Sequence, residues 1–180
     1  MSKTWDTLPL RHEDFAWPYW GMLRDLRVAI RGQCNYLAAL GLLVYTEVIG
    51  RHISATREPS KRPEQFDREE SFYCFYAEHM DQPRERGQKI YEHFRHGAAH
   101  TPDPDLVLPD STTVRIQLPG GRTEQGLAEG AIVLDSGRIK VFLVNAYFRD
   151  FQRGLVKAAR KHPAVFLASP GTGGSNAPTR

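Results

Sequence analysis

The sequence predicts a mainly α fold: a four-helix bundle with a small three-stranded antiparallel sheet inserted before the last helix. Three observations predict it. Apolar residues recur at helical spacing in four segments that span most of the first 162 positions. Between the third and fourth segments the pattern switches to strict alternation, the period of a half-buried strand. Clusters of proline, glycine and aspartate separate the segments, as turn chemistry requires.

The first segment runs from about Pro18 to Ile53. Proline suits a first helical turn, where its missing N–H costs nothing. Leu23, Leu26, Ile30, Leu37, Leu40, Val44 and Val48 then follow at spacings of three, four and seven. The part from Tyr36 to Ile49 is apolar nearly all round, which places it at a core centre or in a subunit interface. A polar connection with two prolines, Ser54 to Pro63, precedes a second helix expected from about Glu64 to Met80. Phe72, Tyr73, Tyr76 and Met80 give it one apolar side. The sequence Asp81-Gln82-Pro83 breaks the pattern. A third helix is expected from about Arg84 into the Gly97 to His100 region, with Ile90, Phe94 and Ala98 as its buried stripe.

Thr101-Pro102-Asp103-Pro104-Asp105 cannot continue a helix. In the stretch that follows, Val114, Ile116 and Leu118 alternate with polar residues. Ala131 to Asp135 and Arg138 to Val144 flank Ser136-Gly137, the pattern of a hairpin. The sheet is therefore expected over about 111–144. A last helix should start near Asn145, a plausible N-cap, and end near His162-Pro163. Residues 1–167 read as one domain. The low-complexity tail 168–180 is expected to be disordered.

Composition narrows the class without naming a function. The chain has 180 residues, a formal net charge of +3, 41% hydrophobic and 25% charged residues. These values fit a globular protein and exclude a collagen-like or wholly disordered chain. Two cysteines, Cys34 and Cys74, cannot build a disulfide framework, so the chain reads as reduced and cytoplasmic. No signal peptide is visible, and no apolar run approaches the ~20 residues that span a bilayer. No membrane partner is expected.

Chemistry concentrates in one place. Three of seven histidines lie in Tyr91-Glu92-His93-Phe94-Arg95-His96-Gly97-Ala98-Ala99-His100. Histidine is the side chain suited to proton transfer near neutral pH. Arginine offers a fixed planar charge to a phosphate. Arg95 and His100 thus supply two functions that RNA cleavage needs: a proton donor or acceptor, and a charge on the phosphate as the transition state builds. Arg84, Arg86 and Lys89 lead into this segment and could guide an RNA backbone; a solvated helix face is an equal reading.

Arg95-His96-Gly97-Ala98-Ala99-His100 resembles the Arg-polar-x-x-x-His signature of the HEPN superfamily, a set of helical bundles that includes many metal-independent endoribonucleases of toxin–antitoxin and phage-defence systems. The His96 form is similar to that of the Las-type ribosomal-RNA processing nucleases. The resemblance covers the four helices and not the sheet. It implies catalysis by Arg95, His100 and His96, with no cofactor and no metal. It also implies RNA as substrate, a homodimer, and an antitoxin or regulatory protein as a further partner. One position departs from the pattern. A large toxin subgroup carries tyrosine two residues after the histidine, where this chain has Pro102.

Residues five apart on an ideal helix diverge by about 140°. Arg95 and His100 therefore meet only if the helix breaks near Gly97 or a second chain completes the site. A rival use of the segment is a metal site, since His93, His96 and His100 fall on one helical face. The spacing is not that of a zinc protease, and no cysteine or carboxylate cluster joins it nearby. A second functional class also stands: a catalytically inactive HEPN-like dimer that binds a nucleotide or a partner protein. The aromatic group Phe15, Trp17, Tyr19 and Trp20 is expected to be packing that fastens the N-terminal region rather than a base-stacking platform.

Overall fold

The structure is a computed structural model and describes residues 11, 14–92, 105–107, 113–117, 128–129, 132–135 and 138–168. It is mainly helical. Six helices are described: α1 (Tyr19–Arg31), α2 (Asn35–Arg57), α3 (Arg68–Glu78), α4 (Arg84–Ile90), α5 (Val144–Lys161) and α6 (Pro163–Phe166). Five short strands lie between α4 and α5: β1 (Asp105–Val107), β2 (Thr113–Gln117), β3 (Ala128–Glu129), β4 (Ile132–Asp135) and β5 (Arg138–Leu143). No helix among the described residues is long and apolar enough to cross a membrane.

The single first helix expected over Pro18 to Ile53 is two helices, and the reason is local. Gln33 adopts φ 56°, a left-handed conformation. Its N–H bonds the carbonyl of Ile30 at 3.1 Å, and the Cys34 N–H bonds that of Ala29 at 2.9 Å. These two bonds form a Schellman motif, which closes α1 and turns the chain. The expected stripe does not carry through the break: Leu23 and Leu26 are buried, but Leu37 is 61% exposed and Leu40, Val44 and Val48 are half-buried, because α2 turns Ala38, Leu42, Leu43 and Ile49 inward instead.

α2 is the central helix. Ala38, Leu42, Leu43, Ile49 and Ile53 are fully covered or nearly so. It packs most extensively on α3, and the approach is close enough to need glycine. A Cβ on Gly50 would lie 1.8 Å from the backbone oxygen of Ser71. α3 starts later than expected, at Arg68 rather than Glu64, because Pro63–Gln65 form a separate 3₁₀ turn. Asp67 sets the start: its carboxylate accepts from the Glu70 N–H at 2.8 Å. Every residue from Ser71 to Tyr76 is buried, so the middle of α3 is enclosed on all sides, while its charged ends, Arg68 to Glu70 and Glu78, reach solvent.

α5 closes the other side of α3. Gly154 lets it approach: a Cβ there would meet Met80 at 2.8 Å and Phe75 at 3.1 Å. Tyr147, Phe151, Leu155 and Ala158 form its buried face, with Phe148 half-buried. The Thr46 hydroxyl donates to the Leu42 carbonyl at 2.8 Å. The Tyr147 hydroxyl, 3.0 Å from the Thr46 oxygen, therefore donates to it, which ties α5 to α2 across 101 residues. α5 begins at Val144, and Asn145 is not its N-cap; the N-cap position is Leu143, which makes no side-chain cap. The helix grows directly out of β5.

The sheet corrects the expected three-stranded antiparallel insert. It has five strands in the order β1-β2-β5-β4-β3. The β2–β5 pair is parallel, with Arg115 opposite Val141; the other three pairs are antiparallel. β4 and β5 pair from Asp135–Arg138 outward, with a register shift at Val133/Leu134. β1 and β3 have three and two residues, too few for an alternating pattern to register in the sequence. Phe142 at the end of β5 is buried, and its ring lies 5.2 Å from that of Tyr147. The central strand thus plugs into the helical core.

The two ends of the described chain meet. Phe15 bridges Leu167 antiparallel; the Ala16 N–H bonds the Phe166 carbonyl at 2.8 Å and the Ala168 N–H bonds that of Asp14 at 2.9 Å. The expected tail 168–180 lies outside the described residues but for Ala168.

Candidate functional site

His93, Arg95, His96 and His100 lie outside the described residues, as do Phe94, Gly97 and Ala98. The segment that delivers the chain to them is described in full. α4 starts after Pro83 and ends at Ile90, and Tyr91 and Glu92 continue as a wider π turn. Ile90 and Tyr91 are buried. The Tyr91 ring packs edge-on against Phe72 at 5.3 Å and Tyr73 at 5.9 Å. Gly87 sits against Tyr76, where a Cβ would be 2.8 Å from the ring. The end of α4 is therefore clamped to α3 two residues before His93.

The three basic residues expected to contact RNA have separate surroundings. Arg84 bonds Glu70 at 2.5 Å, and its guanidinium stands 4.9 Å over the Tyr73 ring. It fastens α4 to α3, and the Glu70 bond holds its pKa up. Arg86 is half-buried and donates to Gln82 at 3.1 Å; Gln82 in turn donates to Asp150 of α5 at 3.3 Å. Lys89 is exposed on the last turn of α4.

Beside Tyr91 is a group of residues the sequence reading did not single out. Glu47 of α2 is 4% exposed. Its carboxylate lies 3.2 Å from Arg51 and 4.0 Å from Arg68. Arg51, Arg68, Asp67 and Tyr91 line an open groove of about 570 Å³. The pairing suits burial, since a carboxylate inside a protein needs a cationic partner. The signal was present in the sequence: Glu47 is the one acid in the apolar run from Tyr36 to Ile49, and Arg51 follows one helical turn later.

Other titratable groups are set by burial. His79 closes α3, is 1% exposed, and has neither ring nitrogen hydrogen-bonded. Burial pushes its pKa down to about 4, helped by the nearby Lys161 charge. Its ring stacks on Phe75 and lies 6.3 Å from that of His162, whose pKa burial also lowers. His52 accepts or donates at 2.5 Å with the Tyr19 hydroxyl, and burial lowers its pKa against an upward pull from Glu64. Burial raises the Cys74 thiol, which keeps it protonated and unreactive. Among the described residues no group of three or more His, Cys, Asp or Glu is placed to hold a metal ion.

The aromatic group near the start of α1 divides. Phe15 and Tyr19 are buried at 5% and 3%, while Trp17 is 67% exposed. The expectation of packing describes the first two and not Trp17. No family model, no curated protein and no solved structure matches the chain.

Proposed function

We propose that the chain is a metal-independent endoribonuclease of the HEPN type, built on a four-helix bundle and acting as a homodimeric toxin or phage-defence effector in the cytoplasm. The observation that supports it is the sequence Arg95-His96-Gly97-Ala98-Ala99-His100, which follows at once on a helix end fastened by Ile90 and Tyr91. A catalytic arginine and histidine need such an anchor, because proton transfer and charge stabilisation both depend on fixed positions.

In this reading the ribose 2′-OH attacks the adjacent phosphorus. His100 moves the proton, and Arg95 balances the charge on the phosphorane-like transition state. His96 orients one of them or touches the phosphate. The 5′ oxygen of the next nucleotide leaves, so the products are a 2′,3′-cyclic phosphate and a 5′-OH. Two copies of the motif face one another across a two-fold axis. Arg84, Arg86 and Lys89 would then guide the RNA backbone toward the motif, Arg84 and Lys89 from exposed positions on α4 and Arg86 from a half-buried one.

The test is incubation of the purified chain with RNA in EDTA, beside Arg95→Ala and His100→Ala. Cleavage by the parent that leaves cyclic phosphate ends, lost in both variants, supports the reading. Absence of cleavage by the folded parent overturns it and leaves the inactive nucleotide- or protein-binding dimer. Cleavage that requires a metal and survives Arg95→Ala points instead to His93, His96 and His100 as ligands.

A further inference from the structure

Trp17 is the most exposed large apolar side chain among those described. A single exposed apolar side chain is ordinary; what sets Trp17 apart is the second ring and the cation beside it. It is also held in place. A Cβ on Gly21 would lie 3.2 Å from the Trp17 ring, so the absence of a side chain there lets the indole lie against α1. The Trp17 and Trp20 rings are 5.2 Å apart and tilted by 42°. The Arg24 guanidinium stands 5.8 Å from the first ring and 5.1 Å from the second.

The charge continues along the same side. Arg24, Val28 and Arg31 are spaced at four and three along α1, which aligns them in one helical row; Trp17 lies just before the helix at the same end, beside Arg24, and all four are exposed. Arg27 flanks the row. α1 carries three arginines and one acid, Asp25, which pairs with Arg24 at 3.5 Å in a solvent-exposed bridge of the kind that is worth little and is readily exchanged. The opposite face of α1, with Tyr19, Leu23 and Leu26, is buried in the protein.

We propose that this surface docks single-stranded RNA, with the exposed Trp17 as the stacking platform, the half-buried Trp20 supporting it from the core side, and Arg24 and Arg31 as phosphate contacts. The choice of RNA as occupant rests on the nuclease reading above. Aromatic rings interleaved with arginines are the chemistry that binds single strands without reading sequence: every base has a π face, and every linkage a charge. A bilayer fits less well, because the apolar face that would insert is already spent on the core. A second copy docked row to row would oppose arginine to arginine.

The experiment uses the full chain and a fluorescein-labelled, 2′-O-methylated uridine 12-mer, which binds but lacks the hydroxyl needed for cleavage. Titration should quench tryptophan fluorescence. Trp17→Ala should weaken binding about tenfold, and Trp17→Phe should restore part of it. Arg24→Gln and Arg31→Gln should each lower the slope of log affinity against log salt. Far-ultraviolet circular dichroism confirms that each variant is folded. Binding unchanged within twofold in Trp17→Ala overturns the surface. So does parent protein that binds anionic vesicles but not the 12-mer, or a Trp17-dependent dimer that excludes it. The two readings fail separately. Intact cleavage of unmodified RNA with Trp17-independent binding removes the surface alone. Trp17-dependent binding without cleavage removes the nuclease alone.

Discussion

His79 is a buried imidazole with no hydrogen-bond partner on either nitrogen, and its environment holds it neutral. Its folded pKa of about 4 lies below the unfolded value of 6.5. Between these values the unfolded chain binds more protons than the folded one, so stability rises with pH across the window. The contribution is complete above pH 6.5 and is lost as pH falls toward 4. The upper bound on the loss is roughly 3.5 kcal/mol, at about 1.4 kcal/mol per pH unit. Urea melts at pH 7, 6 and 5 should show the decline. In His79→Leu, which forfeits no hydrogen bond, it should flatten. An equal slope in both proteins would assign the pH dependence to other groups. The same reasoning explains why the residue drew no attention in the sequence: burial, not residue type, makes His79 unusual.

At the scale of elements, two substitutions test how the helices are ended and crossed. Gln33 pays for a left-handed backbone that glycine adopts freely. Gln33→Gly should raise stability by ~0.5–1 kcal/mol, seen as a higher midpoint in a thermal melt. Gly50→Ala should do the reverse and strongly. Its new methyl would overlap the Ser71 carbonyl, and backbone cannot yield as a side chain can. A loss of ~3 kcal/mol or more, or failure to accumulate as folded protein, is expected on gel filtration and by circular dichroism. These two positions also mark what the sequence made legible. Helical spacing located the bodies of α1, α2, α3 and α5, but in α2 it named the wrong side: the run from Tyr36 to Ile49 is apolar nearly all round, so spacing alone does not separate the half-buried Leu40 and Val44 from the buried Leu42 and Leu43. It could not locate the α1–α2 break, since apolar residues continue on both sides of Gly32-Gln33 and the turn rests on the backbone conformation of Gln33. It could not count the strands, since β1 and β3 are too short to alternate. The proposed catalytic residues are legible as a motif. The Glu47–Arg51–Arg68 group beside Tyr91 becomes visible only when α2, α3 and α4 are brought together.

At the scale of the whole molecule, α3 is the hub. α2, α4 and α5 each press on it, through Gly50, Gly87 and Gly154 in turn. The ends of the described chain, by contrast, meet in the short clasp of Asp14–Ala16 against Phe166–Ala168, with the Tyr19 ring packed on Phe166 behind it. That clasp has a mechanical meaning. Both strands leave it on the same side, where Asp14 faces Ala168. A force applied between the two ends opens its bonds one after another, as a zipper, rather than loading them together in shear. The first event in a pulling experiment should therefore come at low force and release only the segments flanking α1 and α6. The hub around α3 would stay intact until a second, higher-force event. A single all-or-none rupture would show that the clasp and the hub share their load.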